Sequence, residues 1–170
     1  NGSDSEFFNL NFIIAKIYNS MNDKENTNNS FEKVISIIKN LSLTELCKIA
    51  DKYLKKGRFQ DAISLYTYIL EDEININTDN IHIVPDIYYN RAVAFLELKH
   101  NYYKNLAVED LNTAKEKAKY IYEMFDNFSE SDLTEKLNKY NLKLDEITGK
   151  QETLTIDAAY MSVKNDVPFE

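Results

Sequence analysis

A chain of 170 residues that is 44% hydrophobic can bury one respectable core, and only three Gly and two Pro speak against a turn-rich β architecture. It holds no run of about 18 apolar residues that would span a membrane as a helix, and a net charge of −8 argues against a nucleic-acid partner, whose phosphates need clustered Lys and Arg. The single cysteine, Cys47, excludes an internal disulfide and a cysteine-based zinc cage, and it favours a reducing compartment, cytoplasmic or nuclear.

In chain order, the first expected helix covers Ser5 to about Ser20, with Phe8, Phe12, Ala15 and Ile17 facing inward. Its apolar stretch is broken by Asn9, Asn11 and Lys16 and lacks a basic lead, so it does not read as a signal peptide. The polar run from Asn22 to Asn29 is a loop, and Ser30 caps a second helix striped by Phe31, Val34, Ile35 and Ile38. These two helices read as a helical cap or a divergent repeat. Ser42-Leu43-Thr44-Glu45 is a capping box that opens a third helix. Leu46, Ile49, Ala50 and Tyr53 share one face of it, at helical spacings. Gly57 can leave that helix with positive φ, and Ala62, Tyr66 and Ile69 stripe the helix that follows, which fades near Glu73.

A joint over residues 74–84 leads to Pro85, suited to the first turn of another helix. There Tyr88, Ala92 and Phe95 take the offsets of Leu46, Ala50 and Tyr53. Downstream, Ala107, Leu111 and Ala114 repeat the spacing of Ala62, Tyr66 and Ile69, after a turn through Lys99 to Tyr103 that is about three residues longer and lacks Gly. That helix should run to Phe125. After the break at residues 126–131, a closing helix is expected over Asp132 to Ile147, with Leu133, Leu137, Tyr140 and Leu144 on one side and Gly149 as its stop.

The two small-residue hairpins resemble the tetratricopeptide repeat, a helix-turn-helix unit of about 34 residues. The resemblance implies an all-α, short right-handed α-α superhelix of about six to seven helices with divergent terminal helices. The TPR-like domain would cover residues 1–149, with repeats at about 43–75 and 85–120, a capping helix at about 131–148, and an extended tail over 150–170. In that family the first helix of each pair lines a concave groove. The corresponding candidates for a peptide-binding groove are Lys48, Asp51, Lys55, Tyr89, Asn90, Val93 and Glu97, beside Thr44, Cys47, Leu54, Asp86 and Leu96. Tyr89-Asn90-Arg91-Ala92 is similar to the opening of the second repeat in chaperone-binding members, whose clamp grips a C-terminal carboxylate. Asn90 matches that clamp, but Cys47 and Asp51 stand where it needs Lys and Asn, so a thiol and an acid replace a cation and an amide.

Other chemistry reads as bland. His82 and His100 fall in expected loops without metal-ligand spacing, Cys47 lacks a nucleophile's signature, and no glycine-rich phosphate loop occurs. Glu71-Asp72-Glu73 and Glu109-Asp110 read as solvated helix faces and ends. Twelve Tyr and nine Phe recur as pairs, and Tyr102-Tyr103 are candidate interface aromatics because neighbours on a helix diverge, one inward and one outward. The expected function is therefore a non-enzymatic adaptor or scaffold module that binds a peptide or helix of another protein, with no cofactor, no metal, no membrane insertion, and self-association as a further mode. The acidic balance suits a basic or neutral partner. The alternatives are a co-chaperone-like module with an altered clamp, and a targeting or regulatory domain of a larger enzyme.

Overall fold

The computed structural model describes Glu32, Ser36 and residues 40–71 and 73–149, and among these every regular element is helical. The first two expected helices and the tail over 150–170 lie outside the described residues, apart from Glu32 and Ser36, both in helical backbone. The five α-helices are α1 (Leu43–Lys55), α2 (Phe59–Glu71), α3 (Val84–Glu97), α4 (Asn101–Met124) and α5 (Glu130–Thr148), with a 3-10 turn at Ile81–Ile83. The chain divides between Ile81 and His82 into two compact units.

In the first unit, Ser42 caps α1 in the reciprocal manner its sequence promises. Its hydroxyl accepts from Glu45 N–H at 3.1 Å, and Glu45 Oε1 accepts from Ser42 N–H at 3.2 Å. Those bonds, the backbone one first, hold the Glu45 carboxyl below its ordinary pKa. The helix ends in a full Schellman motif: Gly57 N–H donates to the Leu54 carbonyl at 3.1 Å and Arg58 N–H to that of Tyr53 at 2.9 Å, with Gly57 at φ +77°. The chain therefore reverses, and α2 packs on α1. Leu46, Ala50, Ala62, Leu65, Tyr66 and Ile69 are sealed from solvent between them, and the two alanines let the backbones approach. Asp61, buried at the start of α2, is neutralised by Arg58 at 2.6 Å. Beyond α2, Asn75 takes φ +59° and its amide donates to the Leu41 carbonyl, closing the segment back onto the entry of α1.

In the second unit, Pro85 sits in the first turn of α3, where its missing N–H costs no helical bond. The helices α3 and α4 form a hairpin, and α5 packs back on α4. Ala107, Leu111, Ala114, Ala118 and Ile121 run down α4 as one buried stripe, so the expected spacing holds and continues two turns further. On α3 the stripe differs from expectation: Ile87 is sealed, whereas Tyr88 is half-buried beneath the Arg91 guanidinium, 5.6 Å from its ring centroid. A phenol ring accommodates cations on its face, here Arg91 and Lys117, while the aliphatic Ile87 takes the inner place. Ser129 caps α5 and Gly149 ends it at φ +67°. Of its expected inner residues, Tyr140 is fully buried, while Leu133, Leu137 and Leu144 are half-buried.

Candidate functional site

Each unit presents its own share of the expected groove residues. On α1, Lys48 and Lys55 are exposed, and Cys47, Asp51 and Leu54 are half-buried. Asp51 accepts a hydrogen bond from Tyr66 Oη, which reaches across the hairpin from α2. Burial first, then that bond and the Asp51 charge, push the Tyr66 phenol far above its ordinary pKa. A negative charge therefore stands at position 51 on a fixed hydrogen bond. Sequence reading found Tyr66 as a core residue but not as the partner that orients Asp51; hairpin pairing brings the two together across 15 positions.

On α3 the first turn of the expected groove face is met by α5. Asp86 accepts from Tyr140 Oη at 2.8 Å and from the Lys136 ammonium. The Tyr89 ring lies against the Tyr140 ring at 5.5 Å and under the Lys139 ammonium at 4.3 Å. Asp86 and Tyr89 thus do not face an open groove, because the closing helix supplies them with partners. Asn90 and Val93 are half-buried and Glu97 is exposed. Burial pulls the Lys143 ammonium down, but Glu146's hydrogen bond and the charges of Tyr89, Glu146 and Glu97 outweigh it and hold the pKa above the usual value. Lys136, Lys139, Tyr140 and Lys143 escaped the sequence reading as site residues. Their spacing of three, four and seven along one helix face is the signal that could have found them. Burial, with the Asp86 charge and bond, pushes the Tyr140 phenol far up.

The turn between α3 and α4 departs most from expectation. It spans Leu98, Lys99 and His100, no longer than Lys56, Gly57 and Arg58, and Tyr102 and Tyr103 fall in the first turn of α4 instead of the loop. Lys99 takes φ +53°, the left-handed conformation that glycine supplies in the first hairpin. His100 is the N-cap of α4: its Nδ1 accepts from Tyr102 N–H at 3.1 Å. Tyr103 is half-buried and stacked on Phe95, with ring centroids 5.9 Å apart, and Tyr102 meets it edge-on at 5.4 Å while remaining 61% exposed. The expected inward and outward division of that pair therefore holds. Beside them, Leu96, Lys99, His100, Asn101 and Lys104 line a pocket of about 300 Å³.

Beneath the turn, Arg91 donates to Asp110 through Nε at 2.8 Å and Nη2 at 2.7 Å, a bidentate pair between α3 and α4. Asp110 was expected on a solvated face; it is instead only 5% exposed, because α4's stripe carries it under α3. Burial raises its pKa despite the opposing hydrogen bonds and charge of Arg91. His82 also departs from the exposed loop expected of it, half-buried in the 3-10 turn with its ring 5.3 Å from that of Phe128. No helix of the described residues is long and apolar enough to cross a membrane.

Comparison with protein-family models, with curated protein sequences and with solved structures finds no match. The tetratricopeptide likeness accordingly rests on residue spacing.

Proposed function

We propose that this chain is a protein-protein interaction module of tetratricopeptide-like helical hairpins, which takes a peptide or helix of another protein. The observation that carries the reading is Tyr102. It is a large aromatic, 61% exposed, yet it is fixed edge-on by Tyr103, which is itself stacked on Phe95. An aromatic already ordered in the free protein loses little side-chain entropy on association, which is how interface anchors reach high energies. The neighbouring pocket offers donors from Lys99, Asn101 and Lys104 beside the apolar Leu96. On α1, Lys48 and Lys55 provide a second exposed surface. The carboxylate-clamp reading draws less support, since Asp51 holds an acid where that clamp carries an amide, and its carboxylate is engaged by Tyr66.

A photo-crosslinking residue placed at position 102, with another at the exposed Glu116 as control, tests the reading. Position 102 should capture a partner that position 116 does not. Against that partner, once purified, Tyr102→Ala should weaken binding by about 2 kcal/mol, the scale of an interface anchor. Equal capture at both positions, or unchanged affinity in Tyr102→Ala, would remove the α4 turn as the binding surface. Lys48→Ala with Lys55→Ala would then address α1.

A further inference from the structure

We infer that His100 is a pH-responsive cap that sets the order of the α4 turn carrying Tyr102 and Tyr103. Its importance for binding rests on the interaction reading given above. The hydrogen bond itself defines the required chemistry. Tyr102 contributes a backbone N–H, which can only donate, so the Nδ1 it meets at 3.1 Å must carry a lone pair. The cap therefore exists only while the His100 ring is neutral with its proton on Nε2. Ser, Thr, Asp and Asn caps accept through oxygens that keep lone pairs near neutral pH, whereas a histidine cap is lost when the ring takes a second proton.

Protonation also places a positive charge at the positive end of a 24-residue helix, where the macrodipole opposes it. Lys99 and Lys104 line the same pocket. Glu97, in the last turn of α3, is the nearest acid along the chain, and its charge acts on Lys143 of α5. Tyr102 and Tyr103 are the remaining titratable groups at the turn, and the Tyr103 ring stands edge-on to the imidazole at 6.1 Å. Lys99, held at φ +53°, gives the turn little conformational reserve. Once the cap is gone, the first turn retains the Lys104 N–H bond to the His100 carbonyl at 3.0 Å and the stacking of Tyr103 on Phe95. Its opening then loosens Tyr102.

An NMR titration of the whole chain from about pH 8 to about pH 5 tests this without any partner. The His100 ring should start as the Nε2–H tautomer. As it takes its proton, the Tyr102 amide and the Cα shifts of residues 102–104 should move toward coil with the same midpoint, the helix-to-coil ratio of that turn falling about five-fold, the effect of losing a cap. His100→Asn should abolish the step by capping at every pH, and His100→Ala should give the acid-state spectrum throughout. His82→Gln should leave the step in place, which separates the two imidazoles. A ring that titrates while residues 102–104 stay still, a step that survives His100→Asn, or one that vanishes with His82→Gln would each overturn the inference. Failure of partner capture at Tyr102 would instead count against the interaction reading alone.

Discussion

The α1–α2 and α3–α4 hairpins reverse over loops of equal length but obtain the reversal from different sources. The first is locally determined: Gly57 adopts φ +77° without steric cost, two Schellman bonds close the end of α1, and Ser42 and Glu45 satisfy its start. The second puts a lysine at φ +53° and caps α4 with a histidine, both weaker local choices. It compensates with the bidentate Arg91–Asp110 pair and with Tyr103 stacked on Phe95. A turn closed by local backbone chemistry is set by its own sequence, while one without it relies on the side chains of the flanking helices.

Breaking the Arg91–Asp110 pair is the strongest test. Arg91→Ala leaves a buried carboxylate without its cation and should cost about 3–5 kcal/mol in denaturant unfolding. Asp110 is raised in the folded state, so its contribution is full below the ordinary carboxylate pKa of about 4 and is lost as pH climbs through the raised value. Removing Arg91 raises that carboxyl further. The penalty should therefore be largest near neutral pH and shrink toward about pH 4. A penalty under about 1 kcal/mol, or one independent of pH, would contradict a long-range lock on this hairpin.

The two tyrosine-carboxylate bonds come next. Tyr66→Phe in the first unit and Tyr140→Phe in the second each remove a hydroxyl from an Asp acceptor and should cost about 1.5–3 kcal/mol. Tyr53 sharpens the first-unit side, since burial, with Arg58 opposing and Asp61 assisting, pushes its phenol up to about 12. Its contribution is full below the ordinary tyrosine pKa of about 10 and fades as pH rises from there through about 12. Urea midpoints in wild type should fall across that window. Tyr53→Phe should make the fall shallower, leaving the part that Tyr66 and Tyr140 contribute.

Smaller effects address the turns directly. A methyl added at Gly57 meets nothing within 4 Å, so Gly57→Ala should cost only the backbone penalty of about 1–2 kcal/mol. Lys99→Gly should stabilise by about 1 kcal/mol for the same reason. If Lys99→Gly gives no gain, the two turns are not conformational equivalents. Ser42→Ala should cost about 1 kcal/mol in thermal or denaturant unfolding, the usual loss of a helix cap.

The residues themselves determined the helices and their local ends. Ser42 and Glu45 announced a start, Gly57 and Gly149 announced stops, and Pro85 marked the opening of α3. The alanine-centred stripes gave the core of both hairpins, because helical spacing converts directly into a buried face. The depth of individual polar residues was not written there: Asp110 sits beside Glu109 in an acidic pair, and only the pairing of α4 with α3 puts one under Arg91 and leaves the other exposed. Nor could spacing say that Lys99 would take a glycine's conformation. The covering of Asp86 and Tyr89 by Tyr140 and Lys139 was likewise decided by how α5 returns. Local order follows from dihedral preference and helical period, which act over a few residues. Burial of charge and the presentation of Tyr102 depend on partners that only the folded chain brings together.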